Sequence, residues 1–162
     1  RLMSRGLGDV YKRQKVNGNY VTSIMALQEA MKEGYDEALL LDDEENISEG
    51  SGENFFIVKN KILYTPDLDA SLDGITRKSI ISLAEELNIK VEVKKIKLQD
   101  VLEADELFFT GTAAEVVPIR SVDKKLISDG ERGEITAILQ KNYFDQVRGK
   151  RDSFSEWLYS ID

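Results

Sequence analysis

The chain has 162 residues, 41% of them hydrophobic and 32% charged, and a formal net charge of -8. This length suffices for one domain with a buried core, and the acidic balance argues against a nucleic-acid partner. No apolar run approaches the roughly 18 residues of a membrane span, and no signal-peptide pattern is present. We therefore expect a cytoplasmic protein with neither nucleic-acid nor membrane partners.

Cysteine and histidine are both absent. Their absence excludes disulfides, thiolate chemistry, Ser-His-Asp triads and most zinc sites, so no metal centre is predicted. Any catalytic chemistry must then rely on Lys, Tyr, Glu, Asp, Ser or Thr, or on a cofactor.

The first 14 residues, "RLMSRGLGDVYKRQ", are more basic than the rest and show no clear period. We interpret residues 1–14 as a non-native or disordered tail and residues 15–162 as the domain. From Lys15 onward the pattern alternates between helix and strand, which predicts an α/β or α+β domain.

The first predicted helix is "YVTSIMALQEAMKEG", with Ile24, Leu27, Gln28 and Met31 at helical spacing and Gly34 as its C-terminal cap. "EALLLD" predicts a short buried strand, and "DDEENIS" an acidic turn. "NFFIVKNKILYTP" predicts a hairpin that turns near Asn60 and Lys61.

The second half of the chain continues the alternation. "GITRKSIISLAEELN" predicts a helix with Ile80, Leu83, Ala84 and Leu87 on one face. "VEVKKIKL" predicts a strand and "LQDVLEA" a short helix. "ELFFTGTAAEVVPIRSVD" predicts two strands broken at Gly111. "RGEITAILQKNYFDQVRGK" predicts a last helix with Ile135, Ile138, Leu139 and Val147 facing inward.

Two acidic or glycine-rich stretches do not match the sites they suggest. "DDEEN" at 42–46 could bind calcium, but an EF-hand loop needs glycine where Ile47 stands. "GSG" at 50–52 lacks the third glycine of a dinucleotide fingerprint and precedes a strand rather than a helix. A solvated turn and a plain loop are the preferred interpretations.

Two other turns could hold an anion. "GITRKS" opens a helix with free backbone N–H groups and a Thr hydroxyl. "TGTAAE" at 110–115 offers a glycine, hydroxyls and free amides. Each alone could be an ordinary helix start or loop, but together they favour a phosphate site.

A lysine, a tyrosine and a carboxylate complete the set of candidate residues. Lys15 precedes "VNGNY", in which Gly18 permits close backbone approach and Tyr20 offers a hydroxyl. Glu49 and Glu53 stand at the mouth of a predicted strand. Pyridoxal 5'-phosphate needs such groups: a lysine for covalent attachment and proton transfer, a carboxylate for its ring nitrogen, and turns for its phosphate.

At these residues the sequence resembles the class IV, fold-type IV aminotransferases. The run from "EGSGENFF" through "LYT" to "LDGITR" matches the signature of that family. "KVNGNY", "EGSGEN" and "ADELFFTGTAAEVVPI" look most like its branched-chain amino-acid aminotransferases. The resemblance implies the family's large C-terminal domain, a mixed sheet or pseudo-barrel flanked by helices.

The resemblance also implies residue roles. Lys15 matches the Schiff-base lysine, Tyr20 the partner of the phenolic oxygen, and Glu49 the partner of the pyridine nitrogen. The Gly52–Glu53 peptide and Leu72 would enclose the ring. The phosphate would be held by the Ile75 amide and by the hydroxyl and amide groups of Thr76 and Thr112. Thr112 and Ala113 amides would face the substrate carboxylate.

The family's enzymes carry a smaller N-terminal domain, with a phosphate-binding arginine, that has no counterpart here. Asn17 also replaces a glycine of the family pattern. The resemblance therefore implies the cofactor-binding part of an enzyme that moves amino groups between Leu, Ile or Val and 2-oxoglutarate, as a homo-oligomer such as a homodimer. Alternatives are a D-amino-acid aminotransferase, an aminodeoxychorismate lyase, or a non-catalytic binding or dimerisation domain.

Overall fold

The computed structural model describes residues 2–4 and 20–159, and the fold is α/β, as predicted. Its helices are α1 (Tyr20–Lys32), α2 (Ile75–Glu86), α3 (Leu98–Leu102) and α4 (Glu134–Val147), followed by a 3-10 helix at Ser155–Trp157. Its strands are β1 (Leu2–Ser4), β2 (Leu39–Leu41), β3 (Ile47–Gly50), β4 (Asn54–Lys59), β5 (Ile62–Thr65), β6 (Val91–Val93), β7 (Glu106–Gly111), β8 (Glu115–Pro118), β9 (Ser121–Val122) and β10 (Lys125–Leu126).

The largest sheet has five strands in the order β6-β5-β4-β7-β8. Only β5 and β6 pair in parallel, and the other three pairings are antiparallel, so the sheet is mixed. The predicted β4–β5 hairpin is confirmed: it turns at Asn60 and Lys61, whose φ angles of 52° and 62° fit the tight turn that matches strand twist. The predicted break after β7 is confirmed at Gly111.

Side chains from alternate positions of the central strands fill a core on each face of this sheet. Phe55 and Phe109 pack with Ile96 and Val101 on one face. Phe56 and Phe108 stack at 4.9 Å on the other face, under helices α2 and α4. The chain itself covers both faces of these strands and buries the four phenylalanines to 8% exposure or less.

A smaller sheet orders its strands β1-β2-β3, with β1 parallel and β3 antiparallel to β2. Strand β1 lies within residues 1–14, and their assignment as a tail stays a prediction. Strand β3 also forms a bridge from Ile47 to Ile96, which joins this sheet to the segment before α3. Strand β3, which carries Glu49, thus contacts the segment before α3 and is followed along the chain by β4 of the large sheet.

Helix α1 buries a different face from the one its large apolar residues suggest. Ser23, Ala26 and Ala30 face inward, whereas Ile24 and Met31 are 52% and 61% exposed. Small side chains let the helix approach Ala38 and Leu40 closely. The prediction for α4 is also wrong at Val147, which is exposed, while Tyr143 and Gln146 are buried.

Other sequence predictions are confirmed. Helix α2 buries Ile80, Leu83 and Ala84 on one face, with Leu87 packed alongside. Gly34, with φ +85°, follows the end of α1 and donates its N–H to the Met31 carbonyl, so it caps the helix as predicted. Among the described residues no helix is long and apolar enough to cross a membrane.

Candidate active site

Three loops that are distant in sequence meet at one end of the five-stranded sheet. They are the turn between β3 and β4, the segment that leads into α2, and the turn between β7 and β8. Gly111, at the end of β7, has its Cβ position 3.5 Å from the Gly52 carbonyl oxygen, and Asn54, the first residue of β4, pairs with Thr110. The candidate residues Glu49, Gly52, Glu53, Leu72, Ile75, Thr76, Thr112 and Ala113 all lie on these loops or directly beside them.

The Leu72 peptide is held from two sides. Its N–H donates to Glu49 Oε2 at 2.7 Å, and its carbonyl accepts from Asn54 Nδ2 at 2.6 Å. The half-buried Glu49 is therefore fixed on an otherwise buried strand, and Leu72 is fixed beside it. The sequence predicts a role for both residues, and the structure joins them across 23 positions.

Asn54 is a site residue that the sequence analysis missed. It is only 6% exposed, and its side chain occupies the space that a Cβ at Gly74 would need. It therefore anchors the loop from Leu72 to Gly74, directly before helix α2. A polar residue at the start of the apolar run "NFFIV" is the signal that could have found it.

The first turn of α2 presents free backbone donors. Gly74 is its N-cap and provides no side-chain hydrogen bond, so the amides of the first turn have no partner within the helix. The Ile75 side chain is 82% exposed, whereas Thr76 is buried. These amides and the helix dipole can bind an anion.

Arg77 ties this turn to the end of strand β5, and the sequence analysis missed it too. Its guanidinium donates to Thr65 Oγ1 at 3.3 Å and to the Pro66 carbonyl at 3.1 Å while only 4% exposed. Burial lowers the pKa of Arg77, and the charges of Asp73 and Asp67 oppose that shift. Its place on the inward face follows the helical period that also buries Ile80 and Ala84.

Glu53 lies in a crowded acidic surrounding. Burial, a hydrogen bond with the Glu37 side chain, and the charges of Glu37 and Glu49 together raise the pKa of Glu53 to about 7. The Gly52 backbone opposes the shift by hydrogen bonding. Nothing in the sequence pattern associates Glu37 with this site. In the described part of the chain, no group of three or more acidic residues is arranged to hold a metal ion.

The remaining predicted residues have less defined surroundings. Thr112 and Ala113 are exposed in the turn after β7, and Tyr20 is half-buried as the first residue of α1. The position of Tyr20 relative to Glu49 stays a prediction. Lys15, the predicted attachment residue, lies outside the described residues.

A family comparison matches residues 9–122 of the chain to the model of the class IV amino-transferases. The chain is 53% identical over 145 residues to a branched-chain-amino-acid aminotransferase of Pseudomonas aeruginosa, covering 90% of this chain and 47% of that protein. It is 47% identical over 151 residues to a probable branched-chain-amino-acid aminotransferase of Aquifex aeolicus, covering 92% and 49%. The chain thus spans about half the length of the curated relatives it matches.

Solved structures agree with these relatives. A branched-chain amino acid aminotransferase complexed with N-(5'-phosphopyridoxyl)-L-glutamate superimposes with a TM-score of 0.94 at 38% identity, covering 100% of this chain and 57% of that one. The Escherichia coli branched-chain amino acid aminotransferase gives a TM-score of 0.93 at 36% identity, covering 99% and 56%. The fold is therefore that of the fold-type IV aminotransferases.

Proposed function

Because the chain belongs to the class IV aminotransferases, we propose that it forms the cofactor-binding part of a branched-chain amino-acid aminotransferase. The observation that carries this proposal is the fixed Glu49 carboxylate, which accepts a hydrogen bond from the Leu72 N–H. Leu72 lies two residues before Gly74, the N-cap position of α2, which has no side-chain cap hydrogen bond. A carboxylate and a set of free amides on adjoining segments suit a ligand that has a basic nitrogen and a phosphate.

Pyridoxal 5'-phosphate fits the residues that are present. The amides of Ile75 and Thr76 start helix α2, and the Thr76 and Thr112 hydroxyls add further donors for its phosphate. No other atom lies within 4 Å of the Cβ position at Gly52, so the Gly52–Glu53 peptide has an open side, opposite which Leu72 could cover the ring. When bound, the cofactor supplies a ring that stabilises negative charge at the substrate α-carbon.

Each residue then has a defined task. Glu49, held by the Leu72 N–H, would accept a hydrogen bond from a protonated ring nitrogen. Tyr20 would donate to the phenolic oxygen, and the Thr112 and Ala113 amides would orient the substrate carboxylate. Lys15 would attach the cofactor and would move the proton at the substrate α-carbon.

The proposed substrates are Leu, Ile or Val and the matching 2-oxo acids, with 2-oxoglutarate as the second partner. The printed names of the relatives support this choice, since they are branched-chain enzymes. They do not favour a D-amino-acid aminotransferase, an aminodeoxychorismate lyase or a non-catalytic domain. We further propose a cytoplasmic enzyme that works as a homodimer or larger homo-oligomer and has a role in branched-chain amino-acid metabolism.

Covalent labelling tests the proposal. Added pyridoxal 5'-phosphate should shift to a longer absorption wavelength, and borohydride reduction should fix its mass on the peptide that bears Lys15. A Lys15→Ala variant should lose this label, whereas Lys141→Ala, which removes an exposed lysine paired with Asp145, should keep it. Labelling spread evenly over the surface lysines would contradict the assignment.

A further inference from the structure

The Glu37 and Glu53 side chains meet beside the proposed ring site. Glu37 Oε1 accepts hydrogen bonds from the Ala38 N–H at 2.7 Å and from the Ser51 N–H at 3.3 Å. After burial, the side-chain hydrogen bond and the charge of Glu37 are the main causes that raise the pKa of Glu53, which places the two carboxyl groups within hydrogen-bonding reach of each other. The two carboxyl groups thus join the start of strand β2 to the turn at Gly50–Glu53.

Glu53 is packed into this turn rather than projecting into solvent. A Cβ at Gly50 would lie 2.9 Å from Glu53 Oε2 and 2.9 Å from the Phe109 ring. A Cβ at Gly111 would lie 3.3 Å from Glu53 Cγ. Two glycines and an aromatic ring therefore surround the side chain, and its Oε2 atom is buried without a hydrogen-bond partner.

Two carboxylates cannot hydrogen-bond to each other unless one of them carries a proton. Burial, the Glu37 hydrogen bond and charge, and the Glu49 charge all favour the protonated form of Glu53, and the Gly52 backbone opposes it. Protonation of Glu53 removes one of the three negative charges of Glu37, Glu49 and Glu53. It leaves the Glu49 carboxylate to accept from the Leu72 N–H.

We propose that Glu37 and Glu53 share one proton and act as a positioning pair, which fixes the Gly50–Glu53 turn. The Gly50 N–H donates to the Glu53 carbonyl at 2.7 Å, so the turn closes on the residue whose side chain the pair holds. Glu49 directly precedes the turn, and the Gly52–Glu53 peptide lies within it. The Glu53 side chain therefore has a role of its own beside that of its peptide.

The consequence for the cofactor rests on the proposed function. If the pair holds the turn, the ring-facing peptide and the Glu49 carboxylate keep their places only while the shared proton is present. Ionisation of both acids would put repelling charges on Glu37 and Glu53 and loosen the turn. Cofactor affinity should then fall as the pH rises above neutrality.

The first test needs no cofactor. In a carbon-13 NMR titration of the full chain, the Glu53 carboxyl carbon, assigned by its loss in Glu53→Gln, should have a midpoint near the value of about 7 given by its surroundings. Glu37→Gln should lower that midpoint towards the ordinary value of 4.5. Glu29→Gln, on the exposed side of α1, is the control and should leave it unchanged. A wild-type midpoint near 4.5 would overturn the proposal.

Unfolding measured across pH gives an independent check. Because folding raises the pKa of Glu53, its contribution is fully present below about pH 4.5 and is lost as the pH rises through about 7. After a discount for partial exposure, the folding equilibrium constant of the wild type should fall by about tenfold to a hundredfold relative to Glu53→Gln across that range. Parallel profiles for the two proteins would count against the pair.

A third arm separates positioning from simple packing. At pH 7 the neutral amide of Glu53→Gln imitates a protonated acid, so its pyridoxal 5'-phosphate affinity should stay within about twofold of wild type. Glu53→Ala should lose about tenfold, and only the wild type should lose affinity between pH 6 and pH 8.5. If no variant binds the cofactor while the titration results hold, the proposed function fails and the pair stands. Equal affinities for Gln and Ala would refute the positioning role.

Discussion

Replacing Asn54 should show whether its side chain anchors the loop at the cofactor site or only adds to the stability of the fold. Its Nδ2 donates to the Leu72 carbonyl at 2.6 Å, and the side chain is 6% exposed. A net intramolecular hydrogen bond contributes about 0.5–1.5 kcal/mol, and truncation leaves a small void. We expect Asn54→Ala to lower the free energy of unfolding by about 1–2 kcal/mol, a decrease in Tm of about 2–8 °C for a chain of this size.

The same change should weaken cofactor binding because the Leu72–Gly74 loop loses its anchor. We expect the affinity for pyridoxal 5'-phosphate, measured by absorbance titration, to fall about tenfold, which is roughly 1.4 kcal/mol. Asn54→Asp should be worse than Ala, because it has the same size but sets a carboxylate oxygen against the Leu72 carbonyl oxygen.

Asn142→Ala is the matched control. Asn142 Nδ2 donates to the Ile138 carbonyl within α4 at 2.8 Å, and its Oδ1 accepts from Arg151. It should cost similar stability and leave cofactor affinity unchanged. An Asn54→Ala protein that is destabilised yet binds the cofactor within twofold of wild type would refute the anchoring role.

Other predictions concern the carboxylate, the core, turnover and association. Glu49→Gln should lower pyridoxal 5'-phosphate affinity by about tenfold to a hundredfold, since a hydrogen bond to a charged group contributes about 1.5–3 kcal/mol. Glu53→Gln should lower the affinity much less. Equal losses of affinity in a titration would show that the roles of Glu49 and Glu53 are assigned wrongly. Phe56→Ala should remove about 3–5 kcal/mol of stability in urea unfolding, because its ring is fully buried against Phe108, and a loss below about 1 kcal/mol would contradict that packing. Because the chain spans about half the length of the relatives it matches, these 162 residues alone should give little turnover of Leu with 2-oxoglutarate; full turnover would contradict the proposal that they form only the cofactor-binding part of the enzyme. Sedimentation should show self-association of the chain. An Ile24→Lys, Met25→Lys double variant should reduce it, since both side chains are more than half exposed. An unchanged sedimentation profile would show that this face of α1 does not mediate the association.

Local patterns predicted the elements of this fold well because each pattern has a local physical cause. Asn60 and Lys61 tolerate the positive φ of a hairpin turn between two apolar runs. The period of Ile80, Leu83 and Ala84 matches the face of α2 that packs on the sheet. Neither inference needs knowledge of the rest of the chain.

The contacts of the candidate site could not be predicted in this way. Glu49 and Leu72 are 23 positions apart, and Glu37 lies 14 positions before Ser51, whose amide donates to it. These residues come into contact only when β2, β3 and the loop before α2 pack together in the fold. Family signatures can mark Glu49 and Leu72, but nothing in the pattern around Glu37 pairs it with Glu53.

Helix α1 shows that a sequence pattern also does not predict which face of a helix the chain buries. Its sequence has large apolar residues at helical spacing, but Ser23, Ala26 and Ala30 pack inward because small side chains allow close approach to the small sheet. The large residues Val21, Ile24 and Met25 are consequently left more than half exposed. Periodicity detects a helix with two apolar stripes, and only packing decides which stripe the chain itself buries.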